Sequence, residues 1–158
     1  MSANSAAFFT VRKMVAADIG PTMALASTLK DAPHWPQSVY DAALDPSSTP
    51  RRIAIVAVNE VSEIAGFAIA SLLPPQAELE SIGVRANFQR QGIGTKLLSH
   101  LIDELKAAAV SEILLEVRTS NHTGNAFYLV HGFRQIGLRP RYYTEPEDDA
   151  ILMSVTLG

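Results

Sequence analysis

Apolar positions along this chain follow two periods, and the switches between them mark out its elements. Residues 8–14 alternate as a short strand. A helix is expected from Asp18, a residue suited to an N-cap, to about residue 30, with Pro21 tolerated in the first turn. Asp31-Ala32-Pro33-His34-Trp35-Pro36 breaks it, residues 37–44 form a second short helix, and residues 47–50 form a loop. Residues 52–58 and 64–73 are strands rich in Ile, Val and Ala, joined by a hairpin turn at 59–63. Pro74-Pro75 separates them from a strand at 77–84. Over 92–108, Ile93, Leu97, Leu98, Leu101, Ile102 and Leu105 build one helical stripe. A buried-type strand at 112–118, a short helix at 121–131 closed by Gly132, and strands at 133–138 and 150–157 complete the chain. The order β-α-α-β-β-β-α-β-α-β-β predicts an α/β (α+β) protein, a mixed sheet with helices on both faces.

A length of 158 residues suits one compact domain. With 47% apolar and 18% charged residues the chain can bury a real core. The net charge is −3 and no basic stretch occurs, which argues against nucleic-acid binding by phosphate neutralisation. Cysteine is absent, so disulfides, thiolate metal sites and a cysteine nucleophile are excluded together. The four histidines (His34, His100, His122, His131) have no ligand spacing, and no metal is expected. Residues 1–5 lack a basic segment leading into an apolar stretch, so no signal peptide is read there. No window reaches the roughly 20 apolar residues of a membrane span. The expectation is a dissolved cytoplasmic protein, a monomer or weak dimer.

The most informative stretch runs from Val84 through Gln89-Arg90-Gln91-Gly92-Ile93-Gly94-Thr95. A strand ends, a short loop follows and a long amphipathic helix begins. Two glycines at a helix start let backbone approach a ligand, and the unpaired N–H groups there favour a phosphate or pyrophosphate. Arg90 adds a charge-assisted contact. Taken alone, a G-x-G reads more readily as a device for close helix–strand packing. Neither the six-residue dinucleotide pattern nor a P-loop lysine is present.

Gln89-Arg90-Gln91-Gly92-Ile93-Gly94 resembles the coenzyme A motif Q/R-x-x-G-x-G/A of the GNAT superfamily of acetyltransferases. The resemblance extends through the preceding strand 79–84, through Leu115-Glu116-Val117-Arg118-Thr119-Ser120-Asn121, and through Phe127-Tyr128-Leu129-Val130-His131-Gly132-Phe133. It is good over about residues 50–157 and looser over the first 45 or so. Gly83, where the family usually has alanine, is a mild departure. The resemblance implies a single domain over 1–158, with 1–49 on the acceptor side and 50–158 holding the acetyl-CoA core. It implies a mostly antiparallel twisted sheet of about seven strands whose central pair splays apart. Backbone amides from Gln91 to Thr95 would hold the pyrophosphate. The backbone of Ile82, Gly83 and Val84 would pair with the pantetheine arm, and Asn121 matches a position that contacts that arm.

Acetyl transfer from a thioester needs a neutral amine, a polarised carbonyl and a proton for the departing sulfur. An α-amine, with a pKa near 8, is easier to deprotonate than a lysine near 10.4. By spacing alone, Glu116 reads as a strand-end carboxylate paired with Arg118, two residues on and on the same side. Similarity to the RimI-type subgroup, which acetylates ribosomal protein N-termini, instead places Glu116 on its general base. Tyr128 reads either as an aromatic anchor or, by the family pattern, as the general acid. Glu78 and Glu80 are reserve bases, with solvated edge charges as the alternative, and Glu80 also stands as an acceptor contact. Tyr142 and Tyr143 resemble the tyrosine pair near that subgroup's acceptor groove, although such a pair also simply packs. Trp35 either lines the groove or plugs the core.

The resemblance therefore implies acetyl-CoA as co-substrate and the N-terminal alanine of a ribosomal protein as acceptor. A small amine or a lysine side chain is the alternative acceptor, and a non-catalytic acetyl-CoA sensor is the alternative class.

Overall fold

A computed structural model describes residues 8–158; the expectation about a leader at 1–5 lies outside the described residues. The elements are β1 (Thr10–Lys13), α1 (Ile19–Ser27), α2 (Gln37–Leu44), β2 (Arg52–Val58), β3 (Ile64–Leu73), β4 (Gln76–Val84), α3 (Ile93–Ala107), β5 (Glu112–Arg118), α4 (His122–Val130), β6 (Arg134–Thr144) and β7 (Glu147–Thr156). They form one seven-stranded sheet in the order β1-β2-β3-β4-β5-β7-β6. β4 and β5 run parallel; the other neighbouring pairs are antiparallel. Among the described residues no helix is long and apolar enough to cross a membrane.

Period-two alternation in the strands gives the sheet two apolar faces. Ile55, Ala57, Ala68, Ala70, Leu79, Ile113, Leu115 and Val117 face α3, whose Ile93, Leu97, Leu98, Leu101 and Leu105 form the predicted stripe. Each of those five helix side chains is at most 1% exposed, so each contributes about 1.5–3 kcal/mol of transfer free energy. Ala54, Val56, Val58, Ile64, Phe67 and Ile69 face the other way, under α1 and α2.

Two irregularities shape the middle of the sheet. The β3–β4 register skips between Ile69, paired with Ser81, and Ala70, paired with Leu79, so Glu80 is an extra residue in β4. This bulge changes the side-chain phase. Leu79 and then Ile82 and Val84 pack on the α3 side, while Glu78, Ser81 and Gly83 lie opposite β3 residues of the α1–α2 face. The β4–β5 ladder stops after Gln76–Glu112, Ala77–Ile113 and Glu78–Leu114, although the strands run on to Val84 and Arg118. The central strands therefore splay, leaving a wedge-shaped gap.

Three local expectations need correction. Asp18 does not cap α1 through its side chain. Its carboxylate turns back to accept both Arg12 guanidinium nitrogens, at 2.7 and 3.0 Å, and the Val15 amide at 2.8 Å; this two-pronged charged pairing outcompetes a neutral amide. α1 ends at Ser27 rather than near residue 30, where the Thr28 hydroxyl donates to the Leu25 carbonyl at 2.7 Å. β6 continues to Thr144 because pairing with β7 resumes at Tyr143–Asp148 after an irregular stretch in which Arg141 has φ 53°. Tyr142 and Tyr143 thus stand on a strand, not in a loop.

Candidate active site

At the open end of the wedge, Arg85 N–H donates to the Ala65 carbonyl of β3 at 2.8 Å. Successive amides of a strand point to opposite edges, so Val84 N–H, and Ile82 N–H before it, face the gap. A short 3-10 turn at Ala86–Phe88 then leads to Gly92, the N-cap of α3. Gly92 is left-handed at φ 81°, and Arg90 at φ 64°. The first bond of the α3 ladder is Lys96 N–H to the Gly92 carbonyl, at 3.0 Å, which leaves the amides ahead of Lys96 without helical partners. Together with the positive end of the helix dipole they suit a diphosphate.

The residues of the motif divide the work. Gly92 permits the left-handed turn. Gly94 serves packing: a Cβ there would lie 3.2 Å from the Phe127 ring of α4. Gln89 braces the loop, its Nε2 donating to the Val84 carbonyl at 2.9 Å. Ile93 is buried beneath the turn, so it offers only its backbone. Thr95 Oγ1 lies 3.1 Å from His131 Nε2, and His131 stacks on Phe127. Arg90 is exposed beside the turn. Asn121 Oδ1 accepts the Gly124 amide at 2.9 Å and so caps α4, leaving only the other half of its amide for any ligand.

Glu116 lies on the open reach of β5, on the face away from α3. It is not paired with Arg118. That guanidinium donates to the Pro146 carbonyl at 2.8 Å, stacks 4.2 Å over the Tyr143 ring and lies 4.0 Å from Asp148. Glu116 instead faces Arg139 of β6 at 3.8 Å, beyond hydrogen-bond length, and its buried Oε2 has no hydrogen-bond partner among the described residues. An acceptor atom in that condition is costly unless water or a ligand donates to it.

Glu80 is held by Arg52, whose Nε donates at 2.7 Å, with both side chains largely buried. Glu78 stays beside the cluster without such a partner. Its carboxyl is raised above the ordinary range, first by desolvation and then by the charges of Glu80 and Glu116. Ser81 Oγ, buried next to Glu80, likewise lacks a hydrogen-bond partner among the described residues.

Three phenols, Tyr128 on α4 and Tyr142 and Tyr143 on β6, stand near Glu116 or one another. Burial, with a smaller effect of Tyr143, pushes Tyr128 up to about 12, and its ring packs edge-on against Phe127 and Phe133. Burial and the Glu116 charge push Tyr143 up to about 12, and Glu116 raises Tyr142. These phenols are therefore proton donors at neutral pH. Asp148 ties the β6–β7 hairpin to the start of α4: it accepts from Thr119 and Ser120 hydroxyls and from the Ser120 amide, which hold its carboxyl well below the usual range. Trp35 packs against Tyr40 in the core under α1 and α2. Among the described residues no group of three His, Asp or Glu is placed to hold a metal ion.

The contacts of Arg139 with Glu116, of Arg52 with Glu80 and of Asp148 with Thr119 and Ser120 were not read from the sequence. All three depend on cross-strand register between segments 28 or more residues apart or on a register irregularity, for which no local pattern exists.

Comparison with known proteins gives a consistent result. Residues 22–133 match the acetyltransferase (GNAT) family. The [ribosomal protein bS18]-alanine N-acetyltransferase of Escherichia coli (strain K12) is 41% identical over 103 residues, 64% of this chain and 70% of that protein. A putative [ribosomal protein bS18]-alanine N-acetyltransferase of Bacillus subtilis (strain 168) is 26% identical over 148 residues, 94% of this chain and 95% of that one. The crystal structure of the ribosomal-protein-S18-alanine N-acetyltransferase from Escherichia coli superposes with a TM-score of 0.83 at 30% identity, over 95% of this chain and 94% of that one.

Proposed function

Since the chain belongs to the GNAT family of acetyltransferases, we propose that it acetylates the N-terminal α-amine of a protein, and that its acceptor is the alanine terminus of a ribosomal protein in the cytoplasm. The observation that carries this reading is the ladder break after Glu78–Leu114. It opens a gap with helix-start amides at one end and Glu116 on the facing strand.

Acetyl-CoA supplies an activated acetyl group as its thioester. The amides from Gln91 to Thr95 would hold its diphosphate, with Arg90 adding charge, and the gap-facing amides of Ile82 and Val84 would pair with the pantetheine arm as an added strand pairs with a sheet edge. Asn121 would add a contact from its free amide nitrogen. Val84 N–H would polarise the carbonyl. Glu116 would take the amine proton, directly or through water, as the new N–C bond forms and the C–S bond breaks. Tyr128, protonated at neutral pH, would give a proton to the sulfur. Glu116 Oε2, with no hydrogen bond among the described residues and Arg139 only at ion-pair distance, supports the base assignment, since it retains acceptor capacity. Glu80, engaged by Arg52, suits an acceptor contact better than a base. Tyr142 and Tyr143 would flank the incoming peptide, and Trp35 would support the wall behind it.

Thiol release with acetyl-CoA tests this against a panel of peptides beginning with alanine and a panel of small amines. Turnover with alanine-initiated peptides is expected. Turnover confined to non-peptide amines would remove the peptide assignment, and none with any acceptor would leave a sensor.

A further inference from the structure

The departure at Gly83 is not mild in this protein. A Cβ built on Gly83 would lie 2.5 Å from Leu29 Cδ1 and 3.0 Å from the Phe67 ring. Leu29 occupies the volume that a methyl group at position 83 would need. It is the first residue past α1's final Thr28 cap, half-buried against the α1–α2 core. Its backbone is tied down: Leu29 N–H donates to the Ala26 carbonyl at 3.1 Å, and the Leu29 carbonyl lies 3.5 Å from His34 Nε2.

Position matters more than packing here. Gly83 adjoins Val84, whose amide faces the gap, and it lies on the α1–α2 face of β4, the face that on β5 carries Glu116. An amine approaching a carbonyl beside Val84 and a base at Glu116 must come in over this face. The carbon next to that amine, with the first side chain of the acceptor, then arrives beside Leu29.

We infer that Leu29, seated against β4 by the missing Cβ of Gly83, limits the size of the acceptor's first side chain. This rests on the peptide reading above and adds the residue pair that enforces a small first residue. The wall is apolar and carries no charge, so it excludes by volume. A pocket of this kind discriminates by about one order of magnitude or somewhat more for each methylene it refuses.

The test uses the full chain, acetyl-CoA and a set of otherwise identical peptides beginning with Ala, Val, Leu or Met. Leu29→Ala is expected to raise kcat/KM for the Leu and Met peptides relative to Ala by about tenfold. Adding Gly83→Ala to that variant places a methyl in the vacated space and is expected to return most of the discrimination against larger residues. Leu29→Val, with a smaller core deletion, gives an intermediate shift and replaces Leu29→Ala if that variant melts below the assay temperature. An unchanged Ala-to-Leu ratio in a folded, active Leu29 variant overturns the inference and leaves the peptide reading standing. A relaxed ratio that Gly83→Ala does not reverse also overturns it, because general loosening of α1 would then be the cause. If the wild-type protein acetylates none of the peptides but does acetylate small amines, the peptide reading fails first and the inference falls with it.

Discussion

The turn from Val84 to Thr95 and the face bearing Glu78, Glu80, Glu116, Tyr142 and Tyr143 border the same gap, yet they are made of different materials. The turn presents backbone: gap-facing strand amides, helix-start amides and a left-handed glycine. Of its side chains, Ile93 sits in the core and Gln89 braces the loop, while Arg90 and Thr95 are exposed. The face presents side chains whose charges act on one another: Glu116 is the main cause that raises Tyr142, and it adds to burial at Tyr143 and to burial and Glu80 at Glu78. A backbone site binds any molecule that carries the right phosphate and amide pattern. A site of coupled side chains is suited to the proton transfers and acceptor choice proposed for it.

Tyr128→Phe is the sharpest way to separate the two. On the proposed mechanism the phenol gives the sulfur its proton, and general acid catalysis is worth about 10²–10⁴-fold. A loss of at least about a hundredfold in kcat is expected, with acetyl-CoA affinity within about twofold because the turn is untouched. Since burial holds the phenol near 12, the wild-type rate should show no alkaline fall from this group below about pH 10. A preserved kcat would reduce Tyr128 to the aromatic anchor that its packing on Phe127 and Phe133 also makes it.

Glu116→Gln acts on the face alone and in a pH-dependent manner. An α-amine with a pKa near 8 is mostly protonated at about pH 6.5 and mostly free at about pH 9. The loss should be about a hundredfold at the lower pH and shrink to a few-fold at the upper one. A uniform small loss across that range would mark Glu116 as a structural carboxylate balanced by Arg139.

Gly92→Val attacks the turn and should do the reverse. A branched residue forced to φ 81° costs about 1–3 kcal/mol, so acetyl-CoA binding should weaken about tenfold with a much smaller change in kcat and no new pH dependence. Isothermal titration and a KM-against-kcat comparison would read it. A variant that lost kcat and kept affinity would contradict the division of labour between turn and face.

The same division explains what could be read from the sequence. The position of the turn was legible because the strand end, the paired glycines and the helix start lie within twelve consecutive residues, and α3 was legible because Leu97, Leu101 and Leu105 repeat at helical spacing. The elements β2, β3, α2 and β5 fell where their patterns put them. The face was only partly legible. Glu116 and Tyr128 stood out through motif resemblance, and the pair with Arg118 that spacing alone offered for Glu116 is absent. Alternation places both residues on one side of β5, while the Asp148 network and Tyr143 draw Arg118 away across the sheet. The bulge at Glu80 likewise has no sequence signal, and it decides that Ile82 and Val84 pack on one face while Gly83 meets Leu29 on the other. The continuation of β6 through the tyrosine pair, beyond the strand read at 133–138, was missed because Pro140 and the irregular stretch around Arg141 interrupt the pattern.

The smallest predicted effect concerns stability and follows from crowding carboxylates on one face. Desolvation, Glu80 and Glu116 raise the Glu78 carboxyl above its ordinary value, more than Arg139 and Arg52 lower it. The folded state therefore holds the Glu78 proton more tightly than the unfolded chain does. The contribution of this group to stability is complete below the unfolded pKa of about 4.3 and is lost as pH rises through the raised folded value. Glu78→Gln cannot ionise, so it should melt at the wild-type temperature near pH 4 and a little above it near pH 7.5. Gly92→Val, in contrast, should lower the melting temperature equally at both pH values, because no charge is involved. Thermal unfolding of the two variants at both pH values makes the comparison. A Glu78→Gln gain that persisted at the acid end would mean that shape, rather than repulsion among the carboxylates, sets the cost of this face.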